Sequence, residues 1–139
     1  MVEKTEKKAE AKNMEKAVGR RKTAAARVRL SLGKGVIIVN GKDYKEYFPL
    51  KKWQEDVMSP LVTTGKEKAM DVSAKVAGGG VAGQSIAVRH GITRALVKWN
   101  EEFRAALKAE GFLTRDPRAK ERKKPGKHGA RRGHQWRKR

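Results

Sequence analysis

The chain has 139 residues, no cysteine, and 35 Lys or Arg against 15 Asp or Glu, a formal net charge of +20. Disulfides and thiolate metal sites are excluded, a reducing compartment is permitted, and no apolar run approaches the ~20 residues that span a bilayer. A positive excess of this size in one domain-length chain points to nucleic acid as the first partner, ahead of an anionic membrane surface.

Residues 1–17 read as a mixed-charge leader in which Glu3, Glu6, Glu10 and Glu15 balance most of the lysines. It lacks an apolar h-region, and its acids set it apart from organellar transit peptides. The folded body is expected over residues 18–114. Ala24, Ala26, Val28, Leu30 and Leu32 alternate with Arg27, Arg29 and Ser31, the period of a strand with one buried and one basic face. Gly33-Lys34-Gly35 reads as a short hairpin loop, and Val36-Ile37-Ile38-Val39 as the returning strand, apolar on both faces and therefore central. Asn40-Gly41 supplies the next turn. Asp43 is placed to cap a short helix carrying Tyr44, Tyr47 and Phe48 before Pro49. Leu50, Trp53 and Val57 recur at helical spacing, and Pro60 is expected to end that helix. Met70, Val72, Ala74 and Val76 alternate with Asp71, Ser73 and Lys75 as a further strand.

After Gly78-Gly79-Gly80 a long helix is expected. Val88, Ile92, Leu96, Trp99 and Phe103 share its apolar face, with His90, Arg94 and Lys98 opposite. Asn100, followed by Glu101 and Glu102, reads as the cap of a second helix that ends before Gly111. Strands and helices around one small core give an α+β fold: a two-layer α/β sandwich with a short sheet and helices on one face. A long extended basic C-terminal tail completes it. Residues 115–139 hold twelve Lys or Arg and two acids. From Arg122 onward there is no acid and no Leu, Ile, Val, Phe or Met. Such a segment has nothing to bury and is expected to order only along a polyanion, where neutralised phosphates release counterions. Extended, it reaches on the order of 80 Å. Pro125, Gly126, Gly129 and Gly133 allow bends, and Trp136 offers a ring for stacking on a base or a guanidinium.

Gly78-Gly79-Gly80-Val81-Ala82-Gly83 matches G-x-G-x-x-G between a strand and a helix. Glu101 and Glu102 stand near the spacing of the ribose-binding acid, but they open a helix rather than end a strand, and no apolar strand follows. Two readings remain beside the dinucleotide one. The glycines form a tight turn for close strand–helix packing, or they let backbone and helix N-terminus meet an RNA phosphate. The second carries more weight on a chain of this charge. Three histidines at unsuitable spacing build no metal site, and no catalytic pairing is recognisable, so neither cofactor nor metal is expected.

In this order, Gly19-Arg20-Arg21-Lys22-Thr23-Ala24, Val39-Asn40-Gly41, Gly78-Gly79-Gly80 to Gly83-Gln84, Arg89-His90-Gly91-Ile92 and Arg94-Ala95-Leu96 resemble the family of the ninth protein of the small ribosomal subunit. Leu113-Thr114-Arg115-Asp116-Pro117-Arg118 and Glu121-Arg122-Lys123-Lys124 extend the resemblance, which runs to the last residue and is of the bacterial or organellar type. It implies a non-enzymatic, cytoplasmic protein docked on the 3′ domain of small-subunit rRNA, among neighbouring proteins of the subunit head and away from membranes. It also implies a left-handed βαβ crossover, against the usual hand.

Carried onto this chain, the resemblance assigns rRNA contacts to Arg20, Arg21, Lys22, Arg27, Arg29, Gly78, Gly79, Gly80, Arg89, His90 and Arg94 in the body. In the tail it assigns them to Arg115, Arg118, Arg122, Lys123, Lys124, Arg131 and Arg132. Lys138 and Arg139 would touch the anticodon stem-loop of peptidyl-site tRNA. The family's tail commonly ends Pro-Gln-Phe-Ser-Lys-Arg. Here it is His134-Gln135-Trp136-Arg137-Lys138-Arg139, bulkier and more basic but with both terminal cations kept. Two other classes are separable by experiment. A nucleotide-dependent enzyme would bind NAD or ATP saturably without RNA, and a DNA compactor would bind duplex DNA as tightly as rRNA at matched salt.

Overall fold

The computed structural model describes residues 14–138. Five strands, β1 (Met14–Arg21), β2 (Ala24–Leu32), β3 (Ile37–Val39), β4 (Lys42–Asp43) and β5 (Met70–Ala77), form one sheet in the order β1-β2-β5-β3-β4. Between β4 and β5 lie helices α1 (Tyr44–Tyr47) and α2 (Lys51–Thr63); α3 (Val81–Trp99) and α4 (Phe103–Ala109) follow β5. β1, β2 and β5 pair antiparallel, and β3 runs parallel to β5. The architecture is the mixed α+β expected.

Burial alternates along the strands as the period-two pattern requires. Ala24, Ala26, Val28 and Leu30 of β2 and Met70, Val72, Ala74 and Val76 of β5 are buried. They face a core completed by Ile37, Val39, Phe48, Val57, Leu61, Ile92, Leu96 and Leu107. The intervening residues Arg27, Arg29, Ser73 and Lys75 are exposed, so the opposite face of the sheet is open.

Several expectations change: Asn100 ends α3 while Glu102 stands at the N-cap of α4, Phe103 belongs to α4, and Leu32 is exposed, beside four larger differences. The strand β1 takes up Met14 to Ala17 of the segment read as leader. Its inward residues are Ala17 and Gly19, both buried, and such small side chains leave no hydrophobic periodicity to read. They are small because α3 lies close. A Cβ on Gly19 would collide with the Ala87 carbonyl and the Gly91 N–H, and one on Gly91 would stand 2.5 Å from Val28 Cγ2.

Gly33-Lys34-Gly35 does not close a hairpin, since β5 inserts between β2 and β3. The loop is held by Asp71, whose Oδ1 accepts the N–H groups of Lys34, Gly35 and Val36 at 2.8, 2.9 and 2.9 Å. β3 is buried on one face only: Val36 just before it is 48% exposed and Ile38 is 41% exposed. Pro60 lies inside α2 rather than at its end. The Asp56 carbonyl, which Pro60 has no N–H to reach, accepts the Ser59 hydroxyl at 2.8 Å instead.

The Asn40-Gly41 turn and the Asp43 cap are found as read. Asn40 (φ 50°) and Gly41 (φ 80°) turn β3 into β4, and Asp43 Oδ1 accepts the Lys45 N–H at 2.8 Å. Among the described residues no helix is long and apolar enough to cross a membrane.

Candidate nucleic-acid interface

The close approach of α3 to β1 decides where the basic residues stand. β1 is an edge strand, and an open edge leaves backbone groups without partners. Three residues one helical turn apart on α3 meet them. Arg94 donates to the Val18 carbonyl at 2.6 Å and Lys98 to the Lys16 carbonyl at 2.8 Å. His90 Nδ1 accepts the Arg20 N–H at 3.4 Å. The helix face read as basic therefore closes the sheet edge. Burial holds His90 below its ordinary value of 6.5, the Leu113 backbone opposes that, and the charges of Arg94, Arg115 and Arg89 reinforce it. Neutral imidazole is the form that accepts a hydrogen bond at Nδ1.

Where β1 ends and the tail begins, Arg20, Arg21, Arg89, His90, Arg115 and Arg118 line one hollow of about 140 Å³. These are six of the residues assigned to rRNA, brought together from β1, α3 and the tail root. Asp116 also lines it. Its carboxylate takes three hydrogen bonds from the Arg118 guanidinium, the shortest 2.7 Å, and lies 3.4 Å from Arg21. The Arg118 side chain foremost, then its backbone N–H, hold the Asp116 carboxyl well below the usual carboxylate range. The Nε of Arg21 is buried with no hydrogen-bond partner among the described residues. Arg89 is bound to Asp56 of α2 at 3.2 Å and lies 5.2 Å from the Phe112 ring centroid.

The glycine loop stands against the turn that carries Lys22. Gly78 (φ 75°) and Gly79 (φ 63°) need left-handed backbone, and a Cβ on Gly78 would come within 2.6 Å of the Thr23 carbonyl. Gly80, the N-cap of α3, has ordinary φ (−94°) and open space where a Cβ would be. A chain of hydrogen bonds that sequence reasoning missed holds this loop. Asn40 bonds both the N–H and the C=O of Val76, as a further strand residue would. The Tyr47 hydroxyl donates to Gln84 Oε1 at 2.7 Å, and Gln84 Nε2 donates to the Gly78 carbonyl at 3.0 Å. Only the position of Gln84 just after the glycines signalled a part in the loop.

Arg27 and Arg29 lie on the open sheet face, away from the tail root. Along the tail, Glu121 gathers Lys124 at 3.2 Å and Arg131 at 3.0 Å. Arg122 donates to the Lys123 carbonyl at 3.0 Å, and the Arg132 carbonyl accepts the His128 N–H at 2.9 Å. Lys138 is exposed. Arg139 lies outside the described residues.

The family described as ribosomal protein S9/S16 matches residues 19–139. The chain belongs to that family. It is 52% identical over 128 residues to the small ribosomal subunit protein uS9 of Maridesulfovibrio salexigens, covering 92% of this chain and 98% of the relative. It is 53% identical over 123 residues to the small ribosomal subunit protein uS9 of Lawsonia intracellularis, covering 88% and 95%. Members of the family are structural proteins and not enzymes, so the glycine run serves no dinucleotide chemistry here.

Proposed function

We propose that this chain, as a structural constituent of the small ribosomal subunit, docks on the 3′ head domain of its rRNA and reaches peptidyl-site tRNA with its tail tip. It works in the cytoplasm, within the ribosome, beside other head proteins. The observation that carries this reading is the gathering of Arg20, Arg21, Arg89, His90, Arg115 and Arg118 at the point where the tail leaves the body. Arginine forks there suit phosphate oxygens, and Arg21 Nε has a donor to spare. The body anchors through this hollow, through Lys22 and the Gly78-Gly79-Gly80 loop, and through Arg27 and Arg29. The tail continues through Arg122, Lys123, Lys124, Arg131 and Arg132 as an extended, basic strap threading between rRNA strands.

Phosphate contacts fix position without reading sequence. A peptidyl site accepts every tRNA, so backbone contact by Lys138 and Arg139 is the suitable chemistry for the tip. Removing residues 135–139 is expected to leave subunit assembly largely intact and to weaken peptidyl-site tRNA. Gradient sedimentation of the particles and tRNA filter binding measure the two separately. Unchanged tRNA affinity in truncated subunits would refute the contact. Charge reversal of Arg139 to Glu is expected to exceed Arg139→Ala in effect, because it adds repulsion to a lost contact.

A further inference from the structure

The open face of the sheet carries a second hollow, of about 360 Å³, in which Lys16, Arg27, Arg29, Lys75, Arg94 and Lys98 converge and which, among the described residues, no carboxylate lines. Three of these cations, Lys16, Lys75 and Lys98, have no rRNA assignment above. The register makes the arrangement more demanding than its composition. Lys16 lies directly opposite Arg29 across β1 and β2, and Arg27 directly opposite Lys75 across β2 and β5. Like charges facing each other across a ladder destabilise a sheet, and here two such pairs sit side by side.

The one acid on the same face of β5, Asp71, is occupied by three backbone N–H groups and pairs with none of the cations. Arg94 and Lys98 reach the hollow around the β1 edge while each spends one donor on a backbone carbonyl. Among the described residues nothing gains from this concentration of charge, which calls for a counter-ion from beyond them.

We infer that the open sheet face is a second rRNA seat, separate from the tail root, in which the facing pairs Lys16–Arg29 and Arg27–Lys75 clamp a phosphodiester backbone. This rests on the rRNA reading above. Neighbouring strands stand about 4.8 Å apart, with alternate residues of one strand about 6.7 Å apart. The two facing pairs therefore form a stepped row of cations across three strands, Lys16 on β1, Arg29 and Arg27 on β2 and Lys75 on β5. Two of the four are arginines, whose forks match phosphate oxygens. An acidic segment of a neighbouring protein is the alternative occupant. The overall charge of +20 favours RNA.

The test uses the full chain and a head-domain fragment of small-subunit rRNA in filter binding across a salt series. The double variant Arg27→Gln/Lys75→Gln is expected to lose about tenfold or more in affinity at low salt and to flatten the log–log salt slope by about 1.5, for two lost phosphate contacts. Its denaturation midpoint, measured without RNA, is expected to rise or hold, because both substitutions relieve repulsion. Loss of binding with gain of stability separates a seat from a structural role.

An unchanged slope, with the wild type binding normally, overturns the second seat and leaves the tail-root reading standing. Failure of the wild type to bind overturns both. Should a polyglutamate peptide displace the RNA from the wild type but not from the double variant at equal charge concentration, the face belongs to an acidic protein and the inference falls.

Discussion

Two basic surfaces share the seam between β1 and α3, and they are built on opposite terms. At the tail root five arginines stand with two carboxylates, Asp116 against Arg21 and Arg118, and Asp56 against Arg89. On the open face six cations line a hollow with no carboxylate among the described residues. The root is partly neutralised within the protein, so Arg21, Arg89 and Arg118 are held in place before any ligand arrives. The face is left charged and repulsive. Net charge therefore says little about where a polyanion gains most; the decisive quantity is how many cations lack an internal partner.

The comparison is broken most completely by separating β1 from α3. Gly19→Ala and Gly91→Ala each place a methyl group against backbone or the Val28 side chain. Either is expected to cost about 3 kcal/mol, read as a fall in the urea midpoint. Both surfaces would then fail together, since His90 serves one while Arg94 and Lys98 serve the other. A variant folded as tightly as the parent would show that the apposition is looser than described.

A sharper cut runs through the glycine loop. Gly78→Ala meets both a left-handed backbone and the Thr23 carbonyl, and is expected to destabilise by about 1–3 kcal/mol. Gly80→Ala meets no atom, and is expected to cost less, about 0.5–1 kcal/mol for the poorer N-cap. If the Gly80 backbone lies against an rRNA phosphate, this milder change still weakens rRNA binding. Equal rRNA affinity for Gly80→Ala and the parent would confine the glycines to folding. Asn40→Ala, which strips both Val76 hydrogen bonds, is expected to cost about 1–3 kcal/mol and to slacken the same loop.

The strands β2 and β5 and the helix α3 were legible because apolar residues recur regularly along their buried faces. β1 was not, because Ala17 and Gly19 had to be small beneath α3, which erases the pattern used to find strands. Gly33-Lys34-Gly35 has the composition of a hairpin loop, and only the distant Asp71 carboxylate makes it a crossover toward β3. The candidate site divides in the same way. Arg27 and Arg29 declared a basic face by alternation alone. That Lys16 and Lys75 stand opposite them depends on strand order and register, which no local pattern carries. Arg115-Asp116-Pro117-Arg118 was visible as a motif, but nothing in its spacing told that Asp116 folds back on Arg21.

Smaller effects sharpen the tail root. Asp116 holds its carboxyl ionised below the usual carboxylate range, so its bridge is complete above the ordinary value of 3.8 and is lost as pH falls through the lower folded one. Asp116→Asn is expected to change global stability little, since the pair is largely solvated. Its readout is local: faster tryptic cleavage at Arg115 and Arg118 as the root loosens. Cleavage at the parental rate would mean that Asp116 does not fasten the tail.

His90 gives the smallest and most specific signal. Its folded value lies below 6.5, chiefly through burial, so the unfolded chain takes up a proton more readily than the folded one. Its contribution is full above the unfolded value and declines as pH falls from there toward the folded one. A proton on Nδ1 would also remove the acceptor that Arg20 N–H uses and add a charge among Arg89, Arg94 and Arg115. Between about pH 8 and pH 5 the denaturation midpoint should therefore fall in the parent and fall less in His90→Gln. Parallel curves for the two proteins would mean that the imidazole titrates as if in water, and that the β1 edge near Arg20 is held by something other than His90.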